Sequence, residues 1–380
     1  MALKEIIANC EASNPGLKIA VETQAFDALT GKVLAASNTG DAPDVTWMTD
    51  SDLSKLDSAG ALTDLNTLLP EDFQSTVIPD LLQPMADKAV FNGIRVALPI
   101  WPNAGTVLFY RKDLLKTIGL TEPPTDWAEL AEAAAKLSNP AENQYGLALP
   151  LVDTTDSALR HMITGFGPEA LDADTGKFDL TGENAKRAAA LMRQLVESGA
   201  MPKDMATASL DDVQDQFASG RFAMALAYAP RFATFRTSAT GYAPEDLGIA
   251  KLPSFDGNPQ PTTVTFWNLG VPVGAKNPDG AVAFLDCVYS PESSLIWAKV
   301  GQQLPDRQSV LSDEYFTTPE AADLQAAAAI ANSPGTVTLP QNLADASTVF
   351  DQLNKASQQL VTTDDEIDGI LETTKGELGW

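Results

Sequence analysis

Apolar residues recur at helical spacing at the start of the chain, at Leu3, Ile6, Ile7 and Cys10, before Ser13-Asn14-Pro15-Gly16 breaks the pattern and turns the chain. The period then changes to two: Leu17, Ile19 and Val21 alternate with Lys18, Ala20 and Glu22, the spacing of a strand. A second helix is predicted over 27–37, ended by Gly40, and Asp41-Ala42-Pro43-Asp44 leads into the apolar strand Val45-Thr46-Trp47-Met48. Helices and strands alternating in this order predict a parallel sheet with crossovers. A short helix over 53–56 follows.

The pattern is sharpest between 90 and 119. Val90-Phe91-Asn92-Gly93-Ile94-Arg95-Val96 reads as a tight hairpin, because Asn-Gly supplies the positive φ angles of a type I′ turn. The apolar run 107–110 then gives way to a helix over 112–118 closed by Gly119. Between them lies Leu98-Pro99-Ile100-Trp101-Pro102-Asn103, an aromatic residue flanked by prolines, suited equally to a buried loop and to the presentation of a ring at a cleft. The whole stretch 98–113 is read as joining two lobes.

Further on, Pro123-Pro124-Thr125-Asp126-Trp127 starts a helix, with Thr125 as the expected cap, Asp126 favouring the positive end, and Leu130, Ala133, Ala134 and Leu137 as its inner stripe. Trp127 is accordingly structural. A strand over 145–149 opens the second lobe, and 183–198 is a long amphipathic helix. A helix over 211–219 stops at Gly220, and strands are predicted over 221–226, 247–252 and 264–271. Helices over 278–289 and 291–300 precede a largely helical remainder, in which Asp364-Asp365-Glu366 forms the acidic first turn of the last helix.

With 380 residues the chain exceeds the size of a usual single core, so two lobes are expected. Its 25 Lys+Arg against 51 Asp+Glu give a formal charge of −26, which repels a phosphate backbone and an anionic lipid surface and disfavours nucleic acid as a partner. Cys10 and Cys287 lie on apolar helix faces without metal-ligand spacing and are read as buried free thiols rather than a disulfide. The single histidine, His161, is read as a helix-surface residue. No window carries the ~18 apolar residues of a spanning helix, and no signal peptide precedes Leu3. Neither Gly-x-Gly-x-x-Gly nor the Walker pattern occurs, and no spacing singles out a pair of catalytic carboxylates, so a carbohydrate-active enzyme ranks last and no cofactor or metal is expected.

Several punctuated motifs fall in a familiar order: Gly40-Asp41-Ala42-Pro43-Asp44-Val45, Ala59-Gly60-Ala61-Leu62-Thr63-Asp64-Leu65, and Ala97-Leu98-Pro99 followed by Phe109-Tyr110-Arg111-Lys112-Asp113-Leu114. Pro124-Thr125-Asp126-Trp127-Ala128-Glu129-Leu130, Phe217-Ala218-Ser219-Gly220-Arg221-Phe222-Ala223-Met224, Gly270-Val271-Pro272-Val273 and 301–307 continue the order. Each is weak alone, but together they span nearly the whole chain. In them the chain resembles the extracellular solute-binding proteins of bacterial ABC importers, the sugar-binding family that includes maltose-binding protein. The resemblance implies an α/β, two-lobed periplasmic-binding-protein fold of type II, with discontinuous lobes that close like a hinge. The N-lobe is expected over 1–109 plus 264–309 and the C-lobe over 110–263 plus 310–380, with crossings near 108–111, near 261–264 and after Arg307. Such proteins open with a signal peptide, often with a lipid-modified cysteine, and a first strand, whereas this chain begins inside the first helix.

The resemblance also implies a monomer that takes a small-molecule ligand, a carbohydrate, in the interlobe cleft and delivers it to ABC permease transmembrane subunits outside the cytoplasm, without chemistry. Sugars present apolar C–H faces and a rim of hydroxyls, so their sites combine aromatic platforms with carboxylates, amides and arginines. By position in the family the ligand-binding candidates are Trp47, Asp50, Trp101, Asn103, Tyr228, Arg231, Phe266, Trp267, Asn268 and Arg307. Arg231 raises an anionic ligand as an alternative, because a guanidinium can clamp a carboxylate or phosphate. Polyols, glycerophosphate derivatives, sugar acids and polyamines complete the alternatives.

Overall fold

Short apolar runs bounded by Gly, Pro and Asn become the strands: β1 Thr46–Met48, β2 Val90–Phe91, β3 Ile94–Arg95, β4 Leu98–Ala104, β5 Thr106–Arg111, β6 Tyr145–Ala148, β7 Phe222–Tyr228, β8 Leu247–Ala250, β9 Thr262–Gly270 and β10 Thr336–Val337. They belong to a computed structural model that describes residues 1–24, 28–82, 86, 87, 89–91, 93–152, 157–167, 170, 172, 175, 177–331, 336, 337 and 346–380. The chain divides into two units, unit 1 comprising Met1–Asn103 and Thr265–Ala328 and unit 2 comprising Ala104–Val264 and Ala329–Trp380. The passages between the units fall after Asn103, Val264 and Ala328, where the resemblance implied crossings near 108–111, near 261–264 and after Arg307. Residues beyond Arg307 stay with unit 1 because backbone bonds tie them there: Leu82 N–H donates to the Asp306 carbonyl at 2.9 Å, and Gln308 N–H to that of Asp80 at 2.7 Å.

In unit 1, β9 runs antiparallel to β1, pairing Trp47 with Leu269 and Met48 with Asn268, and it also pairs with β4. The two-residue period sends Trp47 and Met48 to opposite faces. Met48 joins Val33, Leu53, Leu56 and Val96 in one cluster, while Trp47 packs against a larger one built on Ile6, Leu65, Phe73, Leu285 and Tyr289. β9 passes close to Met48 at Gly270, where a Cβ would lie 2.4 Å from the Met48 methyl carbon and would push that side chain aside. The hairpin forms as the turn chemistry dictates, with Phe91 opposite Ile94 and Gly93 at φ +81°; Asn92 lies outside the described residues.

Unit 2 holds a sheet in the order β6-β7-β5-β8. All six residues of β5 are buried, as a central strand covered on both faces requires. Helices Trp127–Leu137, Glu183–Glu197, Leu210–Ala218, Ala346–Thr362 and Ile367–Leu378 belong to the same unit.

Several sequence expectations need correction. The sheets are not purely parallel: β5 runs antiparallel to both β7 and β8, and β1 to β9, while β6–β7 and β9–β10 are parallel. Residues 17–22 form no strand, although Leu17 and Ile19 do pack inward. The Ile19 N–H is taken up by the Glu11 carboxylate at 2.8 Å, not by a ladder, and that bond, with the Lys18 ammonium, lowers the Glu11 pKa. The helix Trp127–Leu137 is capped by Asp126, which accepts from Ala128 N–H at 2.8 Å and Glu129 N–H at 3.3 Å; Thr125 is not the cap. The last helix begins at Ile367, so Asp364 and Asp365 precede its first turn.

Cys10 and Cys287 are not free thiols but a disulfide, with Cα atoms 5.7 Å apart. Helix Ala2–Ser13 packs on helix Pro278–Val288, and their apolar faces, which periodicity marked correctly, turn out to face each other. His161 is buried at 2% exposure, not on a helix surface. Every residue of its short helix Ala158–Thr164 is buried, which leaves that helix no exposed face for a surface position to occupy.

Candidate functional site

The sequence candidates separate by unit. In unit 1, β1 carries Trp47, β4 carries Trp101 and Asn103, and β9 carries Phe266, Trp267 and Asn268. The Trp47 and Trp101 rings lie 4.4 Å apart between centroids, tilted by 55°. Both are half-buried, as is Trp267, and all three pack against the larger core cluster of the unit. Behind them stands Trp297, buried at 3% on helix Pro291–Lys299, set edge-on to Trp101 at 4.6 Å and to Trp47 at 6.4 Å. An edge-to-face contact of this kind orients rings beyond what area burial alone achieves.

Trp101 adopts φ +54°, rare for a bulky residue. The Asn103 side-chain amide donates to the Trp101 carbonyl at 3.2 Å, so Asn103 braces the same bend. Phe266 and Asn268 are buried, the latter completely. Asp50 opens the helix Asp50–Ser58 behind a Thr49–Asp52 capping box, and its side chain lies outside the described set.

Arg307 is engaged by other partners. Its Nε donates to Asp80 Oδ2 at 2.6 Å, and its Nη1 to the Tyr289 carbonyl at 3.1 Å. Burial opposes the charge on Asp80, but bonds from the Ser309 hydroxyl, from Arg307 and from the Ser309 N–H outweigh it and hold the carboxyl below its ordinary pKa. Next to it, Asp306 is buried at 1% and pushed up to about 6 by desolvation, which the hydrogen bond from the Ser294 hydroxyl offsets only in part.

In unit 2, Tyr228 ends β7 opposite Thr106 and is half-buried. Arg231 pairs with Asp211 at 3.3 Å with both side chains largely in solvent, a contact of little energetic weight. An open depression lined by Asp172, Lys177, Asp179 and Glu183 contains none of the sequence candidates. Among the described residues no group of three or more His, Cys, Asp or Glu could hold a metal ion.

Sequence reasoning missed Trp297 and Tyr289. Both fall in the predicted helices 278–289 and 291–300, and no local signal distinguishes a core aromatic there from one that backs a site.

The two units make up a two-lobed α/β fold. Residues 2–294 match the model of the bacterial extracellular solute-binding proteins, and the chain belongs to that family. It covers 100% of its own length and 95% of the maltose-bound MalE3 of T. maritima at 21% identity and a TM-score of 0.79. Against the cyclic alpha-maltosyl-1,6-maltose binding protein of Arthrobacter globiformis the coverage is 99% and 94%, the identity 19% and the TM-score 0.80. These likenesses establish the fold. By sequence the chain is 27% identical over 215 residues to a binding protein of Brucella abortus, 56% of this chain and 51% of the relative, so it spans about half of that protein's length. A mannitol-binding protein of Pseudomonas aeruginosa is 40% identical over 83 residues, 21% of this chain and 18% of that one. No helix among the described residues is long and apolar enough to cross a membrane.

Proposed function

We propose that the protein binds a mono- or oligosaccharide as the solute-binding component of an ABC importer, acting as a monomer outside the cytoplasm and delivering its ligand to permease subunits by closure of the two units. The observation that carries this reading is the half-buried Trp47–Trp101 pair at 4.4 Å, an aromatic surface of the kind on which the apolar face of a sugar ring stacks. Trp267, Asn103 and Asp50 extend the candidate set in unit 1, and Tyr228 and Arg231 extend it in unit 2. Arg307 is the weakest of the candidates on this reading, since Asp80 and the Tyr289 carbonyl engage two of its five donors. The maltose and cyclic maltosyl-maltose ligands of the structural neighbours favour an α-glucoside.

A polyol is the second reading, favoured by the 40% identity to the mannitol-binding protein over 83 residues. A thermal-shift screen over maltose, maltotriose, monosaccharides, mannitol, sugar acids and polyamines separates the two. A ligand at about 100 times its dissociation constant adds about 2.7 kcal/mol of stability. Stabilisation by mannitol but by no saccharide would replace the first reading with the second, and the absence of a shift with any sugar or polyol would sink both.

A further inference from the structure

Trp101 holds φ +54° within β4, between Ile100 and Pro102 and two residues after Pro99, and neither proline has an N–H to give to a strand ladder. A strained conformation of this kind persists only when the surroundings over-determine it. Within unit 1 the Tyr289 hydroxyl lies 2.9 Å from the Leu98 carbonyl oxygen and 3.0 Å from that of Pro99. Successive carbonyls of a regular strand point to opposite sides, so one hydroxyl reaches both only where the strand is bent. Tyr289 is itself fixed. It is fully buried, its ring stands edge-on to Phe73 at 6.1 Å, and its own carbonyl accepts from Arg307 Nη1 at 3.1 Å.

We propose that Tyr289 is a positioning residue for Trp101: its hydroxyl gathers the Leu98 and Pro99 carbonyls and so imposes the bend that turns the Trp101 indole onto Trp47. The proposal rests on Trp101 being part of the ligand platform and adds that the orientation of the platform is set from the core, by a group that touches no ligand.

Tyr289→Phe keeps the ring and removes the hydroxyl. Two indoles at 4.4 Å couple, and the coupling is read in the near-ultraviolet circular dichroism of the ligand-free protein, with Trp101→Phe identifying the signal. The expected result is loss of that signal in Tyr289→Phe with a cooperative thermal unfolding transition retained. A signal of wild-type intensity would overturn the proposal. Should Tyr289→Phe fail to fold, Trp101→Gly and Trp101→Ala decide the matter with Tyr289 intact. If Tyr289 imposes the bend, the positive φ survives removal of the indole, glycine adopts it freely, and Trp101→Gly melts at a higher temperature than Trp101→Ala. An equal or lower Tm for the glycine variant means that the indole's own packing made the bend, and the proposal fails. No arm contains a ligand, so a saccharide screen that found nothing would remove the carbohydrate reading without altering these outcomes.

Discussion

Cys10 and Cys287 are separated by 277 positions in sequence and by 5.7 Å between Cα atoms, and the disulfide between them ties the first helix to a helix near the end of unit 1. The ring it closes contains the whole 104–264 segment of unit 2. Cross-linking acts chiefly on the unfolded chain, whose freedom it restricts. Cys10→Ala with Cys287→Ala should therefore lower the unfolding free energy by about 2–4 kcal/mol. Chemical denaturation with and without a thiol reductant checks this: the reductant should weaken the wild type and leave the double variant unmoved. A wild type indifferent to reductant would argue that the bond is absent in solution.

The Asp80–Arg307 pair joins positions 227 apart, with side-chain exposures of 20% and 13%. Removing one partner strands the other in a poorly hydrated place, so Arg307→Ala should cost about 3 kcal/mol, the low end for buried pairs. The pH dependence has a definite sign. Because the folded-state pKa of Asp80 lies below its unfolded value, its contribution is present above the unfolded aspartate pKa and disappears as pH falls through the folded one. Urea midpoints of wild type and Arg307→Ala should converge below pH 4 or so, near the ordinary aspartate pKa. A gap that persists undiminished at low pH would mean that packing of the arginine stem, not charge, is what the variant loses.

Asp306 should do the reverse. Its carboxyl is raised to about 6 in the fold. Between the unfolded aspartate pKa of about 4 and that value the native state holds a proton that the unfolded chain releases, so stability falls as pH rises through this window. The full effect is roughly 3 kcal/mol. Asp306→Asn cannot titrate, and the difference between wild type and variant should shift against the wild type from pH 4 to pH 7. A difference independent of pH would show that Asp306 is ionised throughout.

What was legible beforehand follows the range of the interaction. The hairpin around Gly93, the buried run of β5, the amphipathic helix Glu183–Glu197 and the glycine stops at Gly40 and Gly220 are decided within a few residues, and the pattern places them. Strand direction in the sheets, the burial of His161 and the pairing of Cys10 with Cys287 depend on which distant element arrives alongside, and neither period nor propensity carries that information. The site divides in the same way. Trp47 and Trp101 stand out as aromatics beside Asp, Pro and Asn, whereas Trp297 and Tyr289 carry no local mark within their helices, and their bearing on Trp101 exists only once β4 is laid against them. Arg307 shows the same division: its chemistry suits a ligand clamp, and its bond to Asp80, 227 positions away, has no signal in the local sequence.

Trp101 can be tested without destroying its surroundings. Trp101→Ala would open a cavity between Trp47 and Trp297 and confound lost binding with lost packing, since truncating a large core aromatic costs about 3–5 kcal/mol. Trp101→Phe retains an aromatic ring against Trp297 but shrinks the face offered to a sugar. If Trp101 is a platform residue, the affinity for whichever saccharide stabilises the wild type in the screen should fall at least about tenfold, or 1.4 kcal/mol, by titration calorimetry. The Tm without ligand should move far less than the binding does. Trp297→Phe provides the contrast, because Trp297 is buried behind the pair: its Tm should fall at least as much, while affinity changes less than in Trp101→Phe. Equal affinity in wild type and Trp101→Phe would return Trp101 to a packing role and move the search for the ligand surface to Trp267 and Tyr228.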